Sequence, residues 1–276
     1  MHIVAGCVLM TVVENCASPR ITVIVAVFNG ASTIQHCIDS VASQTYDNKE
    51  LIIIDGGSQD GTLAILEKET KEIDYWNSAP DKGIYNAWNK GLERATGEWI
   101  CFLGADDYLW DSRVLKRLSP HLATAYPSIR VVYGKIHVVS AVGRVHAVIE
   151  APWTKAKKWF PYIMNIPHPG LMHHRSLFDE HGKFDESFRI AGDYELLLRE
   201  LKSEDAIYVP ELVTAGMQGG GVSHASGSMT TIRNELRKIR RIHQLDQFNW
   251  RRLWIDSKIV VKIALHRALH RSVFLV

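Results

Sequence analysis

Glu98-Trp99-Ile100-Cys101-Phe102-Leu103-Gly104-Ala105-Asp106-Asp107 is the stretch on which the fold turns. The apolar run from Trp99 to Leu103 predicts a buried strand, closed by Gly104 and followed by two adjacent carboxylates. Carboxylates delivered at the carboxyl end of a strand in an open α/β sheet face the crevice where ligands bind. A hard divalent cation held by one or two carboxylates plus phosphate oxygens suits a nucleotide there. Asp is also common in solvated turns after strands, so Asp106 and Asp107 alone leave a plain turn as the competing reading.

Three more strand-helix units lie upstream. Ile21 to Val27 is β-branched and continuous enough to be covered on both faces. It ends in Phe28-Asn29-Gly30, and a helix starting at Ser32 or Thr33 follows, with Ile34, Ile38 and Val41 on one buried face. A second strand, Glu50 to Asp55, runs into Gly56-Gly57-Ser58-Gln59-Asp60-Gly61-Thr62 and a helix carrying Leu63, Ile65 and Leu66. The glycines allow backbone to approach a ligand, and Asp55 at a strand end can accept hydrogen bonds from a base or ribose. Asp60 is more simply explained as a helix cap. A short strand near Tyr75 to Ser78 leads through Ala79-Pro80-Asp81-Lys82-Gly83 to a helix from Ile84 to Ala95. Four such units predict right-handed crossovers and a parallel, doubly wound sheet. With no Gly-x-Gly-x-x-Gly after the first strand and no Walker loop, dinucleotide oxidoreductases and P-loop NTPases fall away.

Downstream the pattern is less regular. Val131 to Tyr133 predicts a strand and Ile136 to Ile149 a hairpin around Gly143. Trp153, Trp159, Phe160 and Tyr162 alternate with Lys155, Lys157 and Lys158; they either stack on sugar rings or, the simpler account, pack a loop into the core. His168, His173 and His174 lack a carboxylate or Cys at metal-ligand spacing and read as ordinary strand and loop histidines. Asp193 stands at the start of an apolar helix running to Leu201, where an N-cap would account for it structurally. Gly219-Gly220-Gly221 could be a mobile lid or a plain linker.

At 276 residues the chain can bury a large α/β core, and 46 % hydrophobic with 22 % charged residues excludes a disordered or polytopic protein. Cys7, Cys16, Cys37 and Cys101 have no metal-ligand spacing, which suits reduced thiols and the cytoplasm. Ile3 to Val13 is apolar but has no preceding Lys or Arg and is too short to span a bilayer, so it reads as an extra strand or extension rather than a signal peptide. The net charge of +2 is uneven: residues 230–276 carry eleven Lys/Arg against three Asp/Glu, or +8, leaving 21 against 27, or −6, elsewhere. That tail predicts a helix from Thr230 to Leu245 and a second amphipathic segment from Leu253 to Leu269. Both suit peripheral contact with an anionic membrane surface, with an oligomer contact as the competing use. No nucleic-acid module accompanies the charge, so nucleic acid is not an expected partner.

Taken in order, Phe28-Asn29, Asp55 to Thr62, Asp81-Lys82-Gly83-Ile84-Tyr85-Asn86-Ala87-Trp88-Asn89-Lys90-Gly91, and Phe102 to Asp107 resemble the motifs of family two inverting glycosyltransferases of the GT-A fold, most of all bacterial enzymes that build surface polysaccharide. The resemblance covers about residues 20–225. It implies a Rossmann-like mixed sheet flanked by helices and a helical basic extension: an N-terminal extension 1–19, a GT-A domain 20–225 (donor half 20–110, acceptor half 111–225) and a tail 226–276. It also implies a nucleotide-diphosphate-sugar donor, UDP-linked, and a glycan or lipid-linked acceptor. Val27, Phe28, Asn29, Asp55, Gly57, Asp81, Lys82, Asn86 and Asp106 would surround the nucleotide, and Asp107 would hold Mg²⁺ or Mn²⁺ on its diphosphate. In this pattern the acidic residue before the later apolar helix, here Asp193, is the catalytic base. Two positions depart from it: Gly56 stands where a second Asp is common, and Trp88 where Arg is frequent.

A sugar-nucleotide nucleotidyltransferase would share a related sheet, but its Gly-rich, Arg- and Lys-bearing loop after the first strand is missing, since Phe28-Asn29-Gly30-Ala31 stands there. A non-catalytic sugar- or nucleotide-binding relative is the other alternative, and Asp107 with Asp193 argues against it.

Overall fold

A computed structural model describes residues 18–140, 143–218, 228–245, 250, 251, 253–255, 257 and 258. The Ile3–Val13 stretch, Cys7, Cys16, Gly219–Ser223 and most of the second tail segment lie outside them. Cys37 and Cys101 are free and buried.

Chain order gives β1 (Ile21–Val27), α1 (Ile34–Ala42), β2 (Lys49–Asp55), α2 (Thr62–Lys68), β3 (Tyr75–Ser78), α3 (Ile84–Leu92), β4 (Trp99–Gly104), β5 (Asp107–Leu109) and α4 (Val114–Ala125). There follow β6 (Val131–Val139), β7 (Val145–Ile149), α5 (Trp153–Ala156), β8 (Met172–His174), α6 (Arg175–His181), α7 (Gly192–Leu201), β9 (Ile207–Gln218) and α8 (Ser228–Ile242). The expected strands over 21–27, 50–55, 75–78 and 99–103 all form, as does the hairpin, β6–β7, with Gly143 at φ 74° in its turn.

The sheet runs β3-β2-β1-β4-β8-β6-β9-β5, with β7 paired to β6. Parallel pairing holds for β3-β2-β1-β4, as the strand-helix repeats require. Beyond β4 the sheet is mixed, because β8 pairs antiparallel to both β4 and β6. At Gly134 the β6–β9 register shifts, and a Cβ there would stand 2.5 Å from the Leu212 carbonyl oxygen, so glycine allows the close crossing. The bend lets the far end of β9 pair with β5, which carries Asp107.

Alternate residues of the strands feed two cores. Val23, Val25, Ile53 and Leu103 meet Ile34, Ile38 and Val41 of α1 and Leu115 and Leu118 of α4. On the opposite face Ile24, Ile54 and Phe102 meet Trp88 of α3, Phe178 of α6 and Leu197 of α7. Leu236 and Ile239 of α8 are buried in that same core. The described start of the basic tail is therefore built into the domain.

Candidate functional site

The carboxyl ends of β1, β2 and β4 lie side by side, with Val27 opposite Asp55 and Ala26 opposite Gly104. Asp55 is 0 % exposed. Its Oδ2 accepts from Gly57 N and Ser58 N, both at 2.9 Å, and from Ser78 Oγ at 2.6 Å, while Oδ1 accepts from Ser58 Oγ. The carboxylate thereby ties together the loops that border the crevice at this strand end. Ser58 Oγ accepts in turn from Asn29 N at 2.7 Å, and Asn29 Oδ1 accepts from Gln59 N at 2.9 Å. Asn29 has φ 51° and Gly57 φ 88°, the left-handed region that Asn and Gly tolerate. Phe28, 65 % exposed, projects beside them as an open apolar face.

Gly56 has a local reason. A Cβ at this position would lie 2.7 Å from Asp81 Oδ2, so a larger residue here would require the Asp81 side chain to move. Asp60, expected as a cap, accepts from Thr62 N at 3.1 Å and from Ala31 N at 3.0 Å, tying the loop after β1 to the start of α2, whose N-cap is Gly61.

Asp107 opens β5, its Oδ2 accepting from Gly104 N at 3.2 Å. Asp106 and Asp107 lean together over Gly104, where a Cβ would meet Asp106 Oδ1 at 2.7 Å and Asp107 Oδ2 at 3.3 Å. Burial first, then the Asp106 charge, pushes the Asp107 carboxyl up to about 8. Two crowded oxygen donors that resist ionising together fit a hard divalent cation, Mg²⁺ or Mn²⁺. Among the described residues no group of three or more His, Cys, Asp or Glu could hold a metal, so further coordination would fall to ligand phosphates and water.

Helix α3 joins the two sides of the crevice. Asp81 stands just before it, and Tyr85 in its first turn donates its hydroxyl to Ile190 O at 2.6 Å. The same hydroxyl oxygen stands 3.3 Å from Asp193 Oδ1. Gly192 lies against the Tyr85 ring, where a Cβ would come within 2.7 Å of it. The N-cap of α7 is Ala191, so Asp193 belongs to the first turn and is not the cap. Its Oδ1 accepts from Tyr194 N at 2.8 Å. Burial raises the Asp193 carboxyl to about 6 against the lowering effect of the Tyr194 and Tyr85 hydrogen bonds, with the Glu235 charge raising it further. Such a group is ionised at neutral pH yet basic enough to take a proton.

Other expected residues divide. Lys82 is exposed at the mouth. Asn86 bridges two segments, its Oδ1 accepting from Lys82 N at 3.4 Å and its Nδ2 donating to Glu186 Oε2 at 2.8 Å, and Asn89 Nδ2 donates to Glu186 Oε1 at 2.9 Å. Trp88 is buried, with Nε1 donating to Leu103 O at 3.3 Å, which explains an indole in place of a cation. His168 and His173 pack around Phe102, and burial pushes His168 down to about 3, so both rings are neutral. Trp153 and Phe160 enter the core, while Trp159 and Tyr162 pack at its margin. Tyr85 and Glu235 were not singled out in the sequence; Tyr85 lay inside a quoted motif, and Glu235 was a lone acid in a basic helix.

The sequence profile described as glycosyl transferase family 2 matches residues 22–179. A PGL/p-HBAD biosynthesis glycosyltransferase of Mycobacterium tuberculosis is 30 % identical over 213 residues, 75 % of this chain and 80 % of that protein. An uncharacterised glycosyltransferase of the same species is 28 % identical over 238 residues, 86 % of this chain and 89 % of its own. Among solved structures, S. aureus TarS 1–349 in complex with UDP-GlcNAc aligns with TM-score 0.63 at 18 % identity, over 80 % of this chain and 66 % of that one. The mannosyltransferase PcManGT from Pyrobaculum calidifontis, in complex with GDP-Man and Mn2+, aligns with TM-score 0.61 at 19 % identity, over 83 % and 65 %. The chain thus spans just under two thirds of these two structures.

Proposed function

The chain belongs to glycosyl transferase family 2, and from that premise we propose that it transfers a sugar, with inversion, from a UDP-sugar to a hydroxyl of a glycan or lipid-linked saccharide in surface polysaccharide biosynthesis. One observation carries the reading: Asp81, just before α3, lies against Gly56 after β2, and Tyr85 in the first turn of α3 reaches Asp193. A nucleotide held at the ends of β1, β2 and β4 would then have its sugar directed toward the base.

Inversion is a single in-line displacement. The acceptor oxygen bonds to the anomeric carbon while the bond from that carbon to the diphosphate breaks, the diphosphate leaving with the electron pair. Asp193 takes the hydroxyl proton as the new bond forms. Asp107, helped by Asp106, would hold Mg²⁺ or Mn²⁺, which when bound supplies positive charge to the leaving diphosphate. Val27, Phe28, Asn29, Asp55, Gly57, Asp81, Lys82 and Asn86 would line the nucleotide, with Asp55 also holding the loops in shape. UDP as the nucleotide is supported by a TarS structure solved with UDP, although GDP-Man in PcManGT keeps both chemistries in the test.

The tail would rest on an anionic membrane at its cytoplasmic face. No described helix is long and apolar enough to cross one. Trp250 and Trp254 are 60 % and 48 % exposed, beside Arg251 and Lys258, the residue mix of a membrane interface.

The test is thermal stabilisation by UDP-, GDP- and dTDP-sugars with Mn²⁺. A UDP-sugar should raise the melting temperature in a metal-dependent way, and Asp107→Ala should remove that gain while remaining folded. Unchanged metal-dependent stabilisation in Asp107→Ala would sink the metal assignment.

A further inference from the structure

Glu235 lies in the middle of α8, 8 % exposed, among Arg233, Arg237, Lys238, Arg240 and Arg241. Its carboxylate accepts three successive backbone N–H groups: Arg189 N to Oε1 at 2.6 Å, then Ile190 N at 3.1 Å and Ala191 N at 2.8 Å to Oε2. These amides lead into α7, whose N-cap Ala191 has no capping side chain. From a different helix Glu235 thus fixes the amides that lead up to and include the N-cap, with its negative charge near the positive end of α7. Tyr85 holds the Ile190 carbonyl from the other side. The three donors of residues 189–191 and the Ile190 carbonyl are fixed by groups of α8 and α3, immediately before Gly192 and Asp193.

Docking of α8 does not need this arrangement. Leu236 and Ile239 bury the helix, Lys238 bonds Ser187 and lies 3.4 Å from Asp185 Oδ2, and His243 reaches Glu195 Oε1 at 2.9 Å. A buried carboxylate is costly unless its hydrogen bonds are complete, and an apolar residue would dock a helix at less expense. What the carboxylate adds is a fixed backbone two residues from Asp193.

We propose that Glu235 is a positioning residue for proton transfer, its carboxylate holding the Arg189–Ala191 segment so that Asp193 meets the acceptor hydroxyl at one angle. This rests on the reading of Asp193 as the base. The groups facing the Asp193 carboxyl are Tyr85 from α3, Glu235 from α8 and the Tyr194 main chain of α7 itself, so Glu235 contributes the one negative charge among them.

Full-length Glu235→Ala, Glu235→Gln and Asp193→Asn chains would be compared by calorimetric titration with UDP and Mn²⁺, and by turnover of a UDP-sugar panel with membrane extract as acceptor source. Glu235→Ala should lower kcat roughly 10- to 100-fold, the scale of a misplaced catalytic group, and leave UDP affinity within about twofold. Glu235→Gln keeps a carbonyl acceptor without the charge. It should recover part of kcat and move the acid limb of the pH profile below its wild-type position, and a ¹³C-labelled Asp193 carboxyl should titrate lower in the same sense. Wild-type kcat and an unshifted limb in Glu235→Gln would overturn the proposal, as would equal losses of UDP affinity, kcat and melting temperature in both Glu235 variants. If Asp193→Asn turns over normally, the base reading fails and takes this proposal with it. If Asp193→Asn is inactive while both Glu235 variants behave as wild type, only the proposal for Glu235 fails.

Discussion

A general base must be ionised before the acceptor arrives and still hold a proton well once it has it. Burial and the Glu235 charge lift the Asp193 carboxyl to about 6, and the Tyr194 and Tyr85 hydrogen bonds keep it from rising further. Asp193→Asn preserves size, and because Asp193 is not the N-cap of α7 its replacement removes no cap. Transfer should fall by ~10²-fold or more, in kcat rather than in donor binding. Near-normal turnover would dismiss Asp193 as the base. The same burial predicts the pH profile: kcat should be level above about pH 7 and fall tenfold per unit below about pH 6, as the base becomes protonated. An acid limb near the ordinary carboxylate range, about 4, would mean that a different group titrates. The places of Asp107, just after an apolar strand run, and of Asp193, at the start of an apolar helix, were legible in the sequence. The place of Asp55 at a strand end was legible, but its serine partners at 58 and 78 were not, since they come from two separate segments. Tyr85 and Glu235 were illegible because they bind main chain 105 and 44 residues away, which no local pattern records.

At the scale of elements, β1, β2 and β4 announced themselves as continuous apolar runs, since both faces of a parallel strand are covered. Strand β9 did not, because Pro210, Glu211 and Gln218 break the run and its bend depends on Gly134 of another strand. Helix α4 carries Pro120 in its interior; the Lys116 carbonyl, left without that N–H, accepts from Ser119 Oγ at 3.1 Å instead. The far end of the parallel sheet from the site is closed by Glu50 of β2. Its buried carboxylate accepts from Thr22 of β1, from Thr96 N at 2.6 Å and Oγ1 at 2.9 Å, and from Gly97 N at 3.0 Å. Glu50→Ala would take the acceptor from the Thr96 amide and leave Gly97 N with Thr22 Oγ1 alone, and with a buried unsatisfied group costing about 1–3 kcal/mol the chain should lose about 1 kcal/mol in urea unfolding. A loss under about 0.5 kcal/mol would show that water replaces the carboxylate at no cost. Burial pushes the Glu50 carboxyl up, but the donors from Thr22, Thr96 and Gly97 outweigh it and hold it below its ordinary value. A carboxyl lowered by folding stabilises above its unfolded value, near 4.3, and that stability is lost as pH falls through the folded one. Wild-type stability should therefore fall more steeply below about pH 4 than that of Glu50→Gln.

For the whole molecule, the +8 tail against −6 elsewhere is the largest asymmetry in the chain, and the fold determines how it can be tested. Cutting the chain at Ser228 would remove Leu236 and Ile239 from the core and Glu235 from the Asp193 segment, so lost membrane binding in such a truncation would report damage to the domain. The exposed indoles give a cleaner handle. Trp250 and Trp254 pack on Trp159 with ring centroids 5.9 and 5.3 Å away, Arg251 lies 5.4 Å over Trp250, and Lys258 lies 3.5 Å over Trp254. Aromatic rings at the headgroup level with cations beside them hold a protein to an anionic surface by apolar burial and charge together. Full-length protein should therefore sediment with vesicles of phosphatidylserine and phosphatidylcholine, less so with phosphatidylcholine alone, and should be released as salt shortens the screening length to a few ångströms. Trp250→Ala with Trp254→Ala should weaken the salt-resistant part of the binding, since the cations remain, while UDP binding with Mn²⁺ stays at the wild-type level. If the wild-type chain ignores anionic vesicles and instead sediments as a dimer that the double substitution splits, the aromatic patch joins two copies of the chain and the membrane contact is dismissed.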